Sequence, residues 1–375
     1  MNNWQLPEGI DELTGEQAVT FESNRRRLLD LYQSWGYELV VPPMVEYIES
    51  LILNSESVDK KTFKFLDSSS ERMLGVHSDI TPQIARIDSK RKELEKINRY
   101  CYINSILQTK SDDFYASRSP IQAGVELYGY AGIDGDIEVI LLMIASLSLL
   151  GINDLTLSVG NTAIFSSLCH SALLNSDDVS SLRDIFRRKS IPDLDVFLKN
   201  RDIREKDKFH ALISFVGDER VLAEAVKLFK DLPDVLKAIN DLKELNNRFK
   251  GQDINLMFDL GEEKAYEYHN GIVFAAYHPN FSKALAQGGR YGGLSKAFGS
   301  SRAATGFSFD LKFLIQQCVQ AAKRNKTLNA PNLDDPKLIS LIDDLRSRGY
   351  PIQTDLAGST DVDFIKNNNE WKLKE

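Results

Sequence analysis

The sequence predicts an α+β chain in which short strands pair as hairpins and helices cover them. Two hairpin patterns and one long helical tract carry that expectation. Residues 61–76, KTFKFLDSSSERMLGV, set two short apolar strands on either side of a polar tip, a hairpin pattern. Residues 99–107 and 121–130 read as two further strands joined by the polar loop QTKSDDFYASRSP. Residues 171–250 are dense in Lys, Asp, Glu, Arg and Leu with few glycines, which predicts a helical insertion.

The remaining elements follow in chain order. From Gly15 to Trp35, the apolar residues Phe21, Leu28, Leu29, Leu31, Tyr32 and Trp35 recur at helical spacing, and Gly36 stops the run. In GYELVVPPMVEY the β-branched Val40 and Val41 predict a short strand, and two prolines make its exit rigid. Residues 79–89 read as a helix start with Pro82 near its first turn. The stretch VILLMIASLSLL, Val139–Leu150, falls short of the ~18–20 apolar residues of a membrane span. It reads as a buried helix opened by Asp136 and Glu138 and closed by Gly151. Strands return at 254–260 and 271–277, and ATGFSFDLKFLIQQC follows a glycine cluster, QGGRYGGL at 287–294. The expected organisation is a core over residues 1–325, holding the insertion 171–250. A small C-terminal piece, 326–375, reads as a helix and then a strand.

The bulk properties narrow the function. A length of 375 residues suits two or three folding units. Hydrophobic residues at 42% and charged residues at 27% suit a globular protein with a substantial core. A net charge of −8 and a pI near 5.4 repel phosphate backbones, which argues against broad nucleic-acid binding. Three cysteines, Cys101, Cys169 and Cys318, show no CxxC spacing. They predict free thiols in a reducing cytoplasm and no zinc site. The first residues, MNNWQLPEGIDEL, lack the basic and apolar regions of a signal peptide. A cytoplasmic protein with no membrane partner is expected.

Four constellations could carry chemistry. In HSDITPQIARI, residues 77–87, Asp79 and Thr81 lie two apart; on an extended segment they point the same way and could clamp an ammonium group. Asp79 equally fits a helix N-cap. In IQAGVELYG, residues 121–129, Gln122 and Glu126 share one strand face, with Gly124 between them leaving room for a ligand. Cross-strand pairing on a solvated face is the other reading. In EEKAYEYHNGIVFAAY, residues 262–277, Tyr268 and His269 offer aromatic walls, although a lone histidine is often structural. Glycine pairs around Arg290 in ALAQGGRYGGL permit close backbone approach, or simply a tight turn between strands; no G-K-[ST] follows to make a phosphate loop.

Taken together, the series GYELVVPP, HSDITPQIARI, QAGVELYG, a helical insertion, YEYHNGIVF, GGRYGGL and ATGFSFDL resembles the catalytic core of class II histidyl-tRNA synthetases over about residues 5–318. The resemblance implies an antiparallel sheet flanked by helices, with GYELVVPP similar to the motif at that family's dimer interface. Three departures bear on activity. Where synthetases carry an Arg-x-Glu for ATP, this chain has Gln108-Thr109-Lys110. Where they carry Arg-Gly-Leu-Asp-Tyr-Tyr, it has Lys264-Ala265-Tyr266-Glu267-Tyr268-His269. At the Gly and phosphate-binding Arg of the third motif stand Asp310 and Phe313. Removing one positioned donor costs about 10²–10³ in rate, and lysine does not reproduce the bidentate fork of arginine.

The amino-acid side matches better. Asp79 and Thr81 fall where the family holds the α-amino group; Gln122, Glu126 and Tyr268 fall on its histidine pocket; His269 replaces a second tyrosine. A core that keeps the amino-acid clamp, loses the ATP groups and has a shortened C-terminus is similar to the regulatory subunits of ATP phosphoribosyltransferase. That resemblance implies a non-catalytic chain with no cofactor and no nucleic-acid partner. It would self-associate as a dimer and assemble with a short-form catalytic subunit as a hetero-octamer. L-Histidine, the pathway's end product, would be its effector, bound by Asp79, Thr81, Gln122, Glu126, Tyr268 and His269. Two rivals stay open at this point: an amino-acid-binding adaptor for another partner, and a divergent histidine-activating ligase drawing on Arg86, Arg118 and Arg290.

Overall fold

Alternating strands that bury one or both faces organise the larger part of the chain. The computed structural model describes residues 4–52, 56–91, 95–111, 117–201, 203–252, 254–263, 269–299, 301–319, 326–358 and 361–374, without the side chains at 56, 57 and 295. The chain divides into two units, Met1–Gln320 and Ala321–Glu375.

In the first unit the strands are β1 (Glu38–Leu39), β2 (Val45–Tyr47), β3 (Lys64–Leu66), β4 (Met73–Val76), β5 (Asn98–Ser105), β6 (Ile121–Tyr128), β7 (Thr156–Asn161), β8 (Val216–Gly217), β9 (Asn255–Asp259), β10 (His269–Tyr277), β11 (Ala286–Tyr291) and β12 (Ala304–Asp310). Nine of them form one sheet in the order β1-β5-β6-β12-β11-β10-β7-β9-β8, and β2-β4-β3 form a smaller antiparallel sheet. Both expected hairpins are present: β3 pairs with β4 and β5 with β6, each antiparallel. The large sheet is mixed rather than antiparallel throughout, because β1 runs parallel to β5 and β7 parallel to β9. Parallel neighbours need a long crossover, and the helical insertion between β7 and β9 supplies one.

Strand limits follow local chemistry. The main ladder at β1 stops at Leu39, short of the expected Val40 and Val41, because Pro42 and Pro43 remove two donors. The Val40 N–H still donates to the Cys101 carbonyl at 2.9 Å. The glycine pair of QGGRYGGL does not form a turn. Gly288 and Gly289 lie inside β11, paired with both β10 and β12. A Cβ at Gly289 would stand 2.8 Å from His269 Cδ2, so the missing side chain lets that ring lie on the sheet.

Helices cover the sheet. Helix α1 (Gly15–Ser34) buries Leu28 and Tyr32, and α2 (Thr81–Ser89) buries Ile84 and Ala85. Helix α3 (Ile133–Leu149) contains the expected apolar run and buries Val139, Ile140, Leu142, Met143 and Leu147 against the core. Helix α4 (Leu311–Gln317) follows β12 directly, its N-terminus capped by Asp310, which accepts from the Phe313 N–H at 3.2 Å.

The insertion folds as five helices, Ser176–Arg187, Ile191–Lys199, Lys206–Ser214, Arg220–Leu228 and Pro233–Phe249, capped at two starts by Asn175 and Ser190. Leu182, Phe186, Phe209, Leu242 and Leu245 from these helices join the same apolar core as the sheet. The insertion is thus part of the scaffold, and its β8 adds the last strand to the sheet. In the second unit, the helix Pro336–Ser347 and β14 (Ile352–Asp355) match the expected helix and strand. That unit adds a parallel partner, β13 (Leu328–Pro331), and a hairpin of β15 (Phe364–Asn367) and β16 (Glu370–Leu373). Its own small core contains Ala330, Leu338, Ile342, Leu345 and Phe364.

Candidate functional site

Two cross-strand rows place polar groups on one face of the large sheet. In the first, Tyr102, Gly124, Ser308, Gln287, Ala275 and Ser158 pair in succession from β5 to β7. In the second, Tyr100, Glu126, Gly306, Gly289, Val273 and Gly160 do the same. Alternation keeps both rows on the same side. Gln122, two residues before Gly124, shares that face.

Four of the six expected site residues converge here. Gln122 Nε2 donates to Asp79 Oδ1 at 2.9 Å and to Ser308 Oγ at 3.2 Å, while its Oε1 accepts from the Ile80 N–H at 2.9 Å. Thr81 Oγ1 donates to Glu126 Oε1 at 3.0 Å. Asp79, Thr81, Gln122 and Glu126 are all buried. Asp79 and Thr81 do not sit on one extended segment, because Thr81 opens α2. Asp79 instead accepts from the Thr81 N–H at 3.1 Å; the helix starts where expected, but its N-cap is Ile80 rather than Asp79. His269 begins β10 and packs edge-on against Tyr291, ring centroids 6.3 Å apart. Tyr268 lies outside the described residues.

Glu126 is the centre of this network. The hydroxyls of Thr81, Tyr102 (3.2 Å) and Tyr291 all donate to its carboxyl. Tyr102, Tyr291 and Ser308 are absent from the sequence-based site. Tyr291 lies within GGRYGGL, where the glycines drew attention away from it. Tyr102 and Ser308 become visible only through strand register. Gly124 also has a different role from the one expected. A Cβ there would meet the Tyr102 hydroxyl at 2.7 Å and the Phe307 carbonyl at 2.4 Å, so the space it leaves is filled by Tyr102 and the facing strand.

Burial pushes the Glu126 carboxyl up to about 8, the nearby Asp79 charge adds to the rise, and the three hydroxyl donors oppose it. The folded chain therefore holds this proton more tightly than the unfolded chain does. The stabilisation from that proton is full below the unfolded value of 4.5 and falls as pH rises towards 8. Replacing Glu126 with Gln removes the titration. The Tm of Glu126→Gln relative to wild type is expected to climb between pH 4.5 and pH 8. A flat difference in thermal melts across that range would refute the assignment.

A cavity of 320 Å³ lies beside this cluster on the same face, lined in part by Ser158, Glu262, His269, Ala275, Lys283 and Gln287. Of the expected site residues that are described, His269 alone is in its lining. The cluster is closed by its own hydrogen bonds, whereas the cavity is open, and the two meet at the Ser308–Gln287 step of the first row.

Comparison with known proteins gives the family of the chain. The family model described as histidyl-tRNA synthetase matches residues 9–314. An ATP phosphoribosyltransferase regulatory subunit/histidyl-tRNA synthetase from Bacillus halodurans superposes with a TM-score of 0.85 at 24% identity, over 96% of this chain and 95% of that one. A chain of the ATP phosphoribosyl transferase (HisG:HisZ) complex from Thermotoga maritima superposes with a TM-score of 0.60 at 18% identity, over 78% and 97%. The ATP phosphoribosyltransferase regulatory subunit of Thioalkalivibrio sulfidiphilus is 41% identical over 95% of this chain and 92% of its own length. The chain belongs to the ATP phosphoribosyltransferase regulatory subunit family.

For a member of that regulatory subunit family, the ATP side of the synthetase fold is informative. Gln108 Nε2 donates to the Ser78 carbonyl at 3.1 Å. The arginines that a ligase could use are tied to the scaffold. Arg86 Nε donates to Glu46 at 2.8 Å, and Arg118 donates to the Gln108 and Glu8 carbonyls at 3.1 and 3.0 Å. Arg290 donates to Asp136 and to the Tyr130 carbonyl at 3.0 and 3.1 Å. The expectation that these three arginines remain available is therefore corrected. Asp310 stays at the end of β12, accepting from the Ile121 N–H at 3.2 Å, and burial pushes its carboxyl up.

Proposed function

We propose that this chain is the regulatory subunit of a short-form ATP phosphoribosyltransferase, with no active site of its own. It activates a catalytic subunit that joins ATP to phosphoribosyl pyrophosphate, the first step of histidine synthesis, and lets histidine inhibit that step. The observation that carries this reading is 41% identity to such a regulatory subunit across almost the whole of both chains. The tied arginines and the carboxyl at Asp310 support it from the chemical side, since a triphosphate needs several unpaired cations.

Histidine is assigned to Asp79, Thr81, Gln122, Glu126, Tyr268 and His269. Support comes from the convergence of the first four in one buried network and from the His269 ring at its edge. A ligand regulates only by binding one conformation better than the other, and the coupling is on the order of 1–3 kcal/mol and reciprocal. The partner is a short-form catalytic chain, in a proposed hetero-octamer working in the cytoplasm. Among the described residues no helix is long and apolar enough to cross a membrane. Self-association is assigned to the small sheet, where Val45, Tyr47, Phe65 and Met73 are exposed beside Val41 and Met44. An apolar face of that kind marks an interaction surface.

The test measures phosphoribosyltransferase activity of the short catalytic subunit with and without this chain, then with L-histidine. The expected result is a higher rate that histidine suppresses. No change in rate and no histidine sensitivity would overturn the proposal. Asp79→Ala is expected to raise the histidine concentration for half-inhibition roughly 10-fold or more, since a buried charged hydrogen bond contributes about 1.5–3 kcal/mol. Wild-type potency in that variant would remove Asp79 from the site.

A further inference from the structure

His77 is the one buried histidine among the five in the chain, and it is 0% exposed. It follows β4 directly and precedes Asp79 by two residues. Its backbone already joins separate parts of the fold. The His77 N–H donates to the Met44 carbonyl at 3.0 Å, and its carbonyl accepts from the Leu107 N–H at 3.1 Å. The ring spans a second gap. Nδ1 lies 2.7 Å from Gln83 Oε1 on α2, and Nε2 lies 2.7 Å from the Ser105 carbonyl oxygen at the end of β5.

Both ring contacts are with acceptors, and neither acceptor can turn into a donor. A backbone carbonyl has no proton to give. The Gln83 amide is fixed the same way round by its other end, where Nε2 donates to the Pro43 carbonyl at 2.7 Å and to Glu46 Oε1 at 2.8 Å. Turned over, that amide would set its oxygen against a carbonyl and a carboxylate. A neutral imidazole has one N–H and one bare lone pair. Here the lone pair would face an oxygen at 2.7 Å, shut away from solvent. Only a ring with a proton on each nitrogen donates to both. The 2.7 Å lengths also suit charge-assisted bonds, since neutral N–H···O bonds centre at about 2.9–3.0 Å.

We propose that His77 is doubly protonated in the folded chain and that its second proton is a switch holding the Asp79–Thr81 segment against the large sheet. Burial opposes a charge at this place. The Gln83 relay offsets that cost, because the amide that accepts from the ring donates to the Glu46 carboxylate. The charged groups on the surrounding elements are engaged elsewhere. Glu46 on β2 also accepts from Arg86 of α2 at 2.8 Å. Asp79 accepts from the Thr81 N–H and from Gln122. Arg118, beyond β5, donates to the Gln108 and Glu8 carbonyls.

Loss of the second proton leaves a lone pair against either Gln83 or Ser105, and that contact opens. Either opening shifts the start of α2 relative to β5. The Ile80 N–H donates to Gln122 and the Thr81 hydroxyl to Glu126, so both bonds loosen with it. On its other side Gln83 holds Pro43 and Glu46, at the edge of the small sheet. The proton on His77 thus ties the polar cluster to the small sheet, and its loss uncouples them.

The test reads the ring nitrogens of the full chain by nitrogen-15 NMR across pH, with the His77 signals identified by their absence in His77→Arg. Both ring nitrogens are expected to carry protons at about pH 7.5, where an ordinary histidine ring is about nine-tenths neutral. A singly protonated His77 ring at that pH would overturn the proposal. The backbone amide signals of Ile80 and Thr81 are read in the same samples. They are expected to shift with the midpoint of the ring and to lose that step in His77→Arg, whose side chain only donates and does not titrate. A step that survives in His77→Arg belongs to Glu126, which burial pushes up to about 8. Amides that stay still while the ring titrates would overturn the switch. Thermal melts give a third reading. A proton held more tightly by the folded chain stabilises it below the titration and is lost above it. The Tm advantage of wild type over His77→Gln is therefore expected to shrink by roughly 2–4 °C from about pH 6 to about pH 8.5. A constant or growing difference would overturn the proposal, and if His77→Gln does not fold, the wild-type ring signals still decide it.

Discussion

Gly306→Ala is expected to abolish histidine binding and to destabilise the first unit by about 3 kcal/mol or more, an overpacking cost at the upper end of the usual range. The cause is geometric. A Cβ at residue 306 would stand 1.8 Å from Glu126 Oε2 and 2.5 Å from the Val125 carbonyl oxygen. The first atom belongs to a side chain already held by the hydroxyls of Thr81, Tyr102 and Tyr291. The second is backbone in the adjoining β6, so strand separation would have to change along a central ladder. If Glu126 moves instead, three buried hydroxyls lose their acceptor, at about 1–3 kcal/mol for each one left unsatisfied. Chemical denaturation and histidine calorimetry on the same preparation check both parts. Wild-type stability together with wild-type affinity would mean that Glu126 does not lie over Gly306.

Arg302→Met is expected to lower stability by about 3–5 kcal/mol, the usual result of leaving one member of a buried ion pair alone. Arg302 and Asp88 meet at 2.9 Å with side chains 7% and 0% exposed. Arg302 also donates to the Lys96 carbonyl, and Asp88 accepts from Asn98 Nδ2 at 2.7 Å and from the Tyr100 hydroxyl at 3.1 Å. The pair therefore fastens the end of α2 to β5 and to the segment entering β12. Because Thr81 is on α2 and Gly306 on β12, the same change should loosen the Glu126 cluster. A drop in Tm of roughly 6–15 °C is expected, with weaker histidine binding at temperatures where the chain is still folded. Adding Asp88→Leu should recover part of the loss, since the orphaned charge is then gone. A single variant that melts like wild type would show that the bridge contributes nothing net.

Part of the polar cluster was legible because local spacing already decides it. Gln122 and Glu126 lie four apart in a strand, so they must share a face wherever the strand goes. The Asp79–Thr81–Pro82 run marks a helix start whatever the helix packs on. The long insertion reads as helical from composition, and the short apolar run of α3 reads as a buried helix from its length. Each of these depends on neighbours within a few residues, and such dependence survives folding.

Other features depend on which strands become neighbours, and no local pattern states that. Tyr291 and Glu126 are 165 residues apart and meet because β11, β12 and β6 pair in one register. Gly288 and Gly289 read as a turn until two flanking strands claim them. Arg86, Arg118 and Arg290 look available until Glu46, Asp136 and several carbonyls are brought against them. Lys283 carries no motif, and its place over Phe313 at the cavity edge exists only once β10 and β11 turn back beside α4. By itself the sequence determined the α+β class, the helical insertion and the shared strand face of Gln122 and Glu126. Tertiary structure alone decided the mixed sheet, the closure of the Glu126 network and the position of the open cavity, because strand register and long-range pairing are collective outcomes of burying the whole core.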